Sequence, residues 1–216
     1  MHPDPGFKFC QSCLIAVLLL VSSVAGAQAS TRMDLNGEWQ FRTDPSSQGE
    51  PQGWAREMPE GTETVQVPHT WNIGKYEDFE GTAWYFKTFS LPAELRGKRV
   101  ELHFGATFYK SRVWLNGVDL GGHEGGHTAY HFDITPHLHG QNYLAVEINN
   151  QPTTQSIPAW ALKLHSSKNI WYDWWHYGGI VRDVWIAVHE PALIRRQQIR
   201  TRVEGTSANV NDRISL

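Results

Sequence analysis

From Leu35 onward, apolar and polar residues tend to alternate in short runs, broken at close intervals by Gly, Pro, Asn or Asp. Helical periodicity is nearly absent. A period of two marks strands with one face buried, and many short strands separated by turn residues indicate a two-sheet antiparallel sandwich. The runs "GEWQF", "ETVQV", "AWYFKTFSL", "KRVELHF", "SRVWLNG", "YHFDI", "NYLAVEI", "VRDVWIAV" and "LIRRQQIRTRV" are the predicted strands. Asn116-Gly117 predicts a tight hairpin, because both residues tolerate positive φ. The expected fold is all-β, a jelly-roll β-sandwich of the galactose-binding-domain type.

The first 29 residues follow a different pattern. Lys8 precedes an apolar stretch, "LIAVLLLVSSVAG", too short to span a bilayer and of the length of a signal-peptide core. Ala27-Gln28-Ala29 supplies the small-x-small cleavage pattern, and no cysteine follows to carry a lipid. Residues 1–29 are therefore read as a signal peptide and the protein as exported, periplasmic or extracellular, with no membrane attachment after cleavage. Residues 30–190 form the expected sandwich. After Pro191, residues 191–216 read as one strand, a turn and the start of another. They either add to the sandwich as an edge hairpin or begin another domain, since two strands cannot bury a core.

Composition narrows the function. The net charge is −3, with 19 basic and 22 acidic residues and no basic run beyond Arg195-Arg196, which argues against a nucleic-acid partner. Both cysteines, Cys10 and Cys13, lie in the leader, so disulfides and thiol chemistry are not expected of the mature chain. All ten tryptophans lie beyond it.

Three segments have residue types that suggest chemistry. "HEGGH", His123 to His127, matches a zinc-protease pattern, but that pattern requires a helix to place both histidines on one face, and the paired glycines oppose a helix. A Gly-rich connection between two strands is the better reading, and no metal is expected. In "NIWYDWWHYGGI", Trp171, Tyr172, Trp174, Trp175 and Tyr177 surround a single carboxylate, Asp173. Aromatic faces suit the C–H faces of a sugar, and a carboxylate accepts from paired hydroxyls. Some of these rings must point inward if the segment alternates. "VPHTWN", Val67 to Asn72, ends a strand in polar loop residues that equally suit a turn.

Taken together, "LNGEWQF", "VPHTWN", "AWYFKTFSL", "VWLNGVDLGGHEGGHTAYHFDIT", "NYLAVEINN" and "YGGIVRDVWI" resemble, in order and spacing, the N-terminal domain of glycoside hydrolase family 2. This is the family of β-galactosidases, β-glucuronidases and β-mannosidases. Six ordered segments are far more specific than one motif. The resemblance also explains "HEGGH" as the family's Gly-x-His-x-Gly-Gly turn, with His127 where an aromatic usually follows. It implies that residues 191–216 begin an immunoglobulin-like domain, and that a TIM barrel carrying two catalytic glutamates lies outside this chain. None of this chain's glutamates follows an asparagine, as the family's acid/base does, so no catalytic residue is assigned.

By the same resemblance Asn72 and Asp173 match residues that contact the terminal sugar, with Trp174 beside them. Asp183 matches a frequent family residue whose place on a strand points to a structural role. The expected partner is a small carbohydrate, and no cofactor is implied, although the family analogy leaves room for an alkali or alkaline-earth ion and for a homo-oligomeric parent enzyme. The alternative is a stand-alone carbohydrate-binding jelly roll without catalysis.

Overall fold

The computed structural model describes residues 31–95, 97–157, 175–190, 194 and 196–215. The expected signal peptide, Asp173 and Trp174 lie outside the described residues. Ten strands form two antiparallel sheets. One has six strands: β2 (Gly37–Asp44), β3 (Glu63–Val67), β4 (Thr82–Phe89), β6 (Lys110–Leu115), β7 (Val118–Glu124) and β9 (Asn142–Asn149), in the order β3-β2-β4-β9-β6-β7. The other has four: β1 (Thr31–Asp34), β5 (Arg99–Phe104), β8 (Tyr130–Asp133) and β10 (Val184–His189), in the order β1-β10-β5-β8. The jelly-roll sandwich expected from the alternation is the fold observed.

The alternation translates directly into the core. Val100, Leu102 and Phe104 of β5 and Val184, Ile186 and Val188 of β10 face Trp39, Phe41, Tyr85, Val113, Leu144, Val146 and Ile148 of the six-stranded sheet. Side chains at i and i+2 share a face, so one register choice buries every apolar residue of a strand together. β4 departs from simple alternation because both its faces are buried. Its Trp84 and Phe86 point away from the main core into a second cluster with Trp54, Trp114 and Ala145.

That second cluster is closed by residues 45–62. Asp44 accepts from the amides of Gln48 at 2.8 Å and Gly49 at 2.7 Å, and from the indole of Trp84 at 3.2 Å. Trp84 stacks on Trp114 with centroids 5.0 Å apart, and Trp54 meets Trp84 edge-on at 6.0 Å. A Cβ at position 49 would stand 2.5 Å from the Trp84 indole nitrogen, so the loop lies flat on the ring only with glycine there. Removing such a ring from water stabilises by about 2–3 kcal/mol.

Asn116 and Gly117, at φ +53° and +79°, close the β6–β7 hairpin as expected. β7 is the second arm of that hairpin and runs on through His123 and Glu124, where the sequence suggested a loop. The remaining strands, β11 (Arg196–Glu204) and β12 (Ser207–Ser215), pair only with each other, so they are not an edge hairpin of the sandwich. Ile199, Val203, Val210 and Ile214 share one face of that hairpin and are exposed.

Candidate functional site

The candidate site lies where the loop after β3 meets the Gly-Gly segment before β10. Backbone hydrogen bonds stitch the two: His69 N–H donates to Ile180 O at 2.7 Å, and Trp71 N–H to Gly178 O at 3.1 Å. On its other side the same segment exchanges two bonds between Phe108 and Gly179, at 2.8 and 3.1 Å. The Val67–Pro68 and Phe108–Tyr109 peptides are both cis. The glycines are demanded by closeness. A Cβ at position 178 would stand 2.0 Å from Cζ2 of Trp71, and one at position 179, where φ is +145°, 2.2 Å from the carbonyl oxygen of His69.

Asn72 sits at the centre of this junction and is buried, at 4% exposure. Its Oδ1 accepts from Gly178 N–H at 2.8 Å and from Nδ2 of Asn150 at 3.2 Å. Its Nδ2 donates to the carbonyls of Glu77 and Phe79, both at 3.0 Å, with Tyr76 O further off at 3.4 Å. A side-chain amide offers two donor hydrogens and two acceptor lone pairs. All are taken by the protein, so a direct bond from Asn72 to a sugar requires the exchange of one of these.

Asn150, which residue type alone did not single out, completes the junction. It is wholly buried, donates to His176 O at 2.6 Å and accepts from Gly81 N–H at 2.9 Å. The Asn72–Asn150 pair thus ties together the 72–81 loop, the end of β9 and residues 176–178. Trp71 adds a fourth tie, its indole N–H donating to Phe79 O at 3.0 Å.

The consequence is an alternation on the segment that follows Asp173 and Trp174. His176 points inward, meeting Phe108 edge-on at 5.3 Å, whereas Trp175 and Tyr177 are 48% and 45% exposed. Ile73, at 73%, follows Asn72. Half-exposed rings on a braced backbone suit the apolar face of a sugar and need little ordering on binding. The tryptophans elsewhere are largely core: Trp39, Trp54, Trp71, Trp84 and Trp114 are buried.

Electrostatics below the loop are structural. Burial pushes the Glu63 carboxyl upward, but the Tyr76 hydroxyl at 2.5 Å and the Lys75 ammonium at 3.2 Å together hold it below its ordinary value. Burial lowers the His69 imidazole, only partly opposed by Glu63, and His69 Nδ1 lies 2.7 Å from the hydroxyl of Tyr85.

The "HEGGH" segment is not helical: His123 and Glu124 end β7, where a loop was expected, and residues 125–127 form the Gly-rich connection. His123 lies in β7, stacks on Tyr130 at 4.4 Å and meets Thr128 Oγ1 at 2.8 Å, while His127 packs edge-on to Phe108. A Cβ at position 122 would stand 2.5 Å from Ser111 O, and one at 126 2.0 Å from Phe108, so these glycines serve close packing. Asp183 holds Arg32 at 3.3 Å and Nδ2 of Asn36 at 3.1 Å, bracing the entry to β10.

Residues 71–177 match the family model described as the glycosyl hydrolase 2 galactose-binding domain-like domain. The chain is 28% identical over 192 residues to a β-glucuronidase of Paenibacillus borealis, covering 82% of this chain and 32% of that one. It is 32% identical over 180 residues to the β-glucuronidase of Canis lupus familiaris, with 71% and 28% covered. A β-galactosidase of Thermoanaerobacter pseudethanolicus is 28% identical over 163 residues, with 72% and 19% covered. Among solved structures, a Ruminococcus gnavus β-glucuronidase superposes with a TM-score of 0.71 at 27% identity, covering 88% of this chain and 33% of that one. The chain thus spans about a third or less of the length of these relatives. The sandwich, its Gly-Gly junction and these likenesses make this chain a bearer of the galactose-binding-like N-terminal domain of glycosyl hydrolase family 2.

Proposed function

We propose that this chain supplies the sugar-facing N-terminal domain of an exported, retaining exo-β-glycosidase of the β-glucuronidase or β-galactosidase type, and that it is inactive alone. The observation that carries the reading is the braced junction around Asn72 and Gly178. It presents Trp175 and Tyr177 to solvent directly after Asp173 and Trp174. In this reading Asp173 accepts hydrogen bonds from sugar hydroxyls and Trp174 lies beside it. Asn72 acts mainly by holding the loop that shapes the subsite.

Retaining hydrolysis takes two carboxyl groups roughly 5 Å apart, one as acid/base and one as nucleophile. In this reading both belong to a barrel beyond residues 191–216, which begin an immunoglobulin-like domain, and residues 1–29 direct export. Purified chain incubated with nitrophenyl β-glucuronide, β-galactoside and β-mannoside is expected to release no nitrophenol. Release that disappears in Asp173→Ala would overturn the reading.

The stand-alone sugar-binding module is favoured by one observation, that the described strands of the two sheets bury one large apolar cluster between them. Calorimetry separates the two: an autonomous module binds simple β-glycosides and loses that binding in Asp173→Ala.

A further inference from the structure

The outer face of the four-stranded sheet contains a cluster that the sugar-facing reading does not use. Glu101 and His103 stand two apart on β5, so both point away from the core. Across the β5–β10 pair, Ala187 lies opposite Glu101 and His189 opposite Arg99, which places His189 diagonally beside Glu101. The small Ala187 leaves the space above Glu101 to the two imidazoles. Nε2 of His103 is 3.3 Å and Nε2 of His189 3.5 Å from Oε2 of Glu101, and the three ligand atoms all lie within 4.8 Å of one another.

Both Nε2 atoms are buried, and neither makes a properly directed hydrogen bond. A buried polar atom without a partner costs about 1–3 kcal/mol, so two together call for a missing partner. The rest of the cluster is fixed. Arg99 holds the other oxygen of Glu101 at 3.2 Å and Asp133 at 3.0 Å, leaving Oε2 turned toward the rings. His103 is stacked between His131 at 5.0 Å and Trp185 at 5.1 Å.

We propose that His103, His189 and Glu101 bind a Zn²⁺ ion on this sheet face. Zinc takes imidazole nitrogen and carboxylate oxygen in tetrahedral sites, with three protein ligands and water in the fourth place. Donors 2.0–2.1 Å from a tetrahedral zinc stand roughly 3.4 Å apart, which the two Glu–His separations match. The third edge, between the two imidazole nitrogens, is within 4.8 Å. The ion links two neighbouring strands and gives both imidazole nitrogens a directed bond, where now they have only the contact with Glu101 Oε2. This site is separate from "HEGGH", where no metal was expected.

The test is zinc titration of the full chain after dialysis against chelator, read by calorimetry and by melting. The expected result is one Zn²⁺ per chain and a melting temperature raised by about 5–10 °C at a hundredfold excess over Kd. Glu101→Gln and His189→Asn are each expected to weaken binding at least 30-fold, while the double variant His123→Asn/His127→Asn binds as before. The metal-free melt and circular dichroism of each variant report whether it has folded. For any that has not, Co²⁺ absorption of the parent chain compared with His103→Asn gives the same information, the tetrahedral signature being lost in the variant. No binding by the parent, binding that survives loss of these ligands, or binding abolished by the His123/His127 changes would each overturn the proposal.

Discussion

The junction around Asn72 and the outer face of the four-stranded sheet differ in how far their polar side chains are satisfied, although the junction too keeps one buried hydroxyl, Thr70 Oγ1, without a partner. At the junction the side-chain amides are satisfied by the protein itself: Asn72 and Asn150 bond to each other and to backbone groups of the 76–81 loop and of residues 176–178. On the sheet face, histidines far apart in sequence leave two buried nitrogens without hydrogen-bond partners. A buried polar side chain that is fully bonded stabilises a shape, whereas one that is not calls for an explanation, which on the sheet face is the proposed ion. Residue type alone therefore does not tell architecture from site; the hydrogen-bond geometry does.

The junction breaks most severely at its glycines. Gly178→Val places atoms within the Trp71 ring, which neither backbone nor indole can vacate, so a loss of more than about 3 kcal/mol is expected, read as failure to fold or a large fall in melting temperature. A smaller effect is expected from pH. The His69 imidazole titrates below its ordinary 6.5 in the folded chain because of burial, so the unfolded chain binds the proton more readily. Stability from this group is whole above pH 6.5 and declines as pH falls from there to the lowered value. Denaturant melts of the parent and His69→Gln between pH 8 and 5 are expected to diverge in that window, the parent losing more. The smallest effect belongs to the sheet face. In metal-free buffer, His189→Leu removes an unbonded nitrogen and is expected to leave stability within about 0.5 kcal/mol of the parent. A larger loss would mean that the imidazole is already satisfied by the protein.

Much of the sandwich was legible because its strands obey a period of two. "ETVQV" coincides with β3, and "NYLAVEI" lies within β9 with Leu144, Val146 and Ile148 on the core side. β1 was not legible, because "TRMD" has no alternation and packs at a sheet edge. β7 was legible only as the far arm of the Asn116-Gly117 hairpin, since "VDLGGHE" uses glycines for close approach to β6 in place of apolar residues for burial. At the site, the Gly-Gly turn and Asn72 were visible as a motif. The bracing role of Asn150 was not, since an asparagine at a strand end reads as a turn former. Which of the ten tryptophans are core was not legible, and β4 and β6 use theirs for a second core under residues 45–62. The His103–His189–Glu101 cluster leaves no local signature, because strand pairing alone brings residues 101 and 189 together.

Whether the Asn72 junction is a braced platform is decided by a double-mutant cycle of Asn72→Ala and Asn150→Ala followed by denaturant unfolding. Each single change leaves buried backbone groups without partners and is expected to cost about 2–4 kcal/mol. The double variant is expected to lose less than the sum by about 1–3 kcal/mol, since the two amides share one network. Single variants as stable as the parent, or strictly additive losses, would contradict the account and return Asn72 to a role facing the sugar.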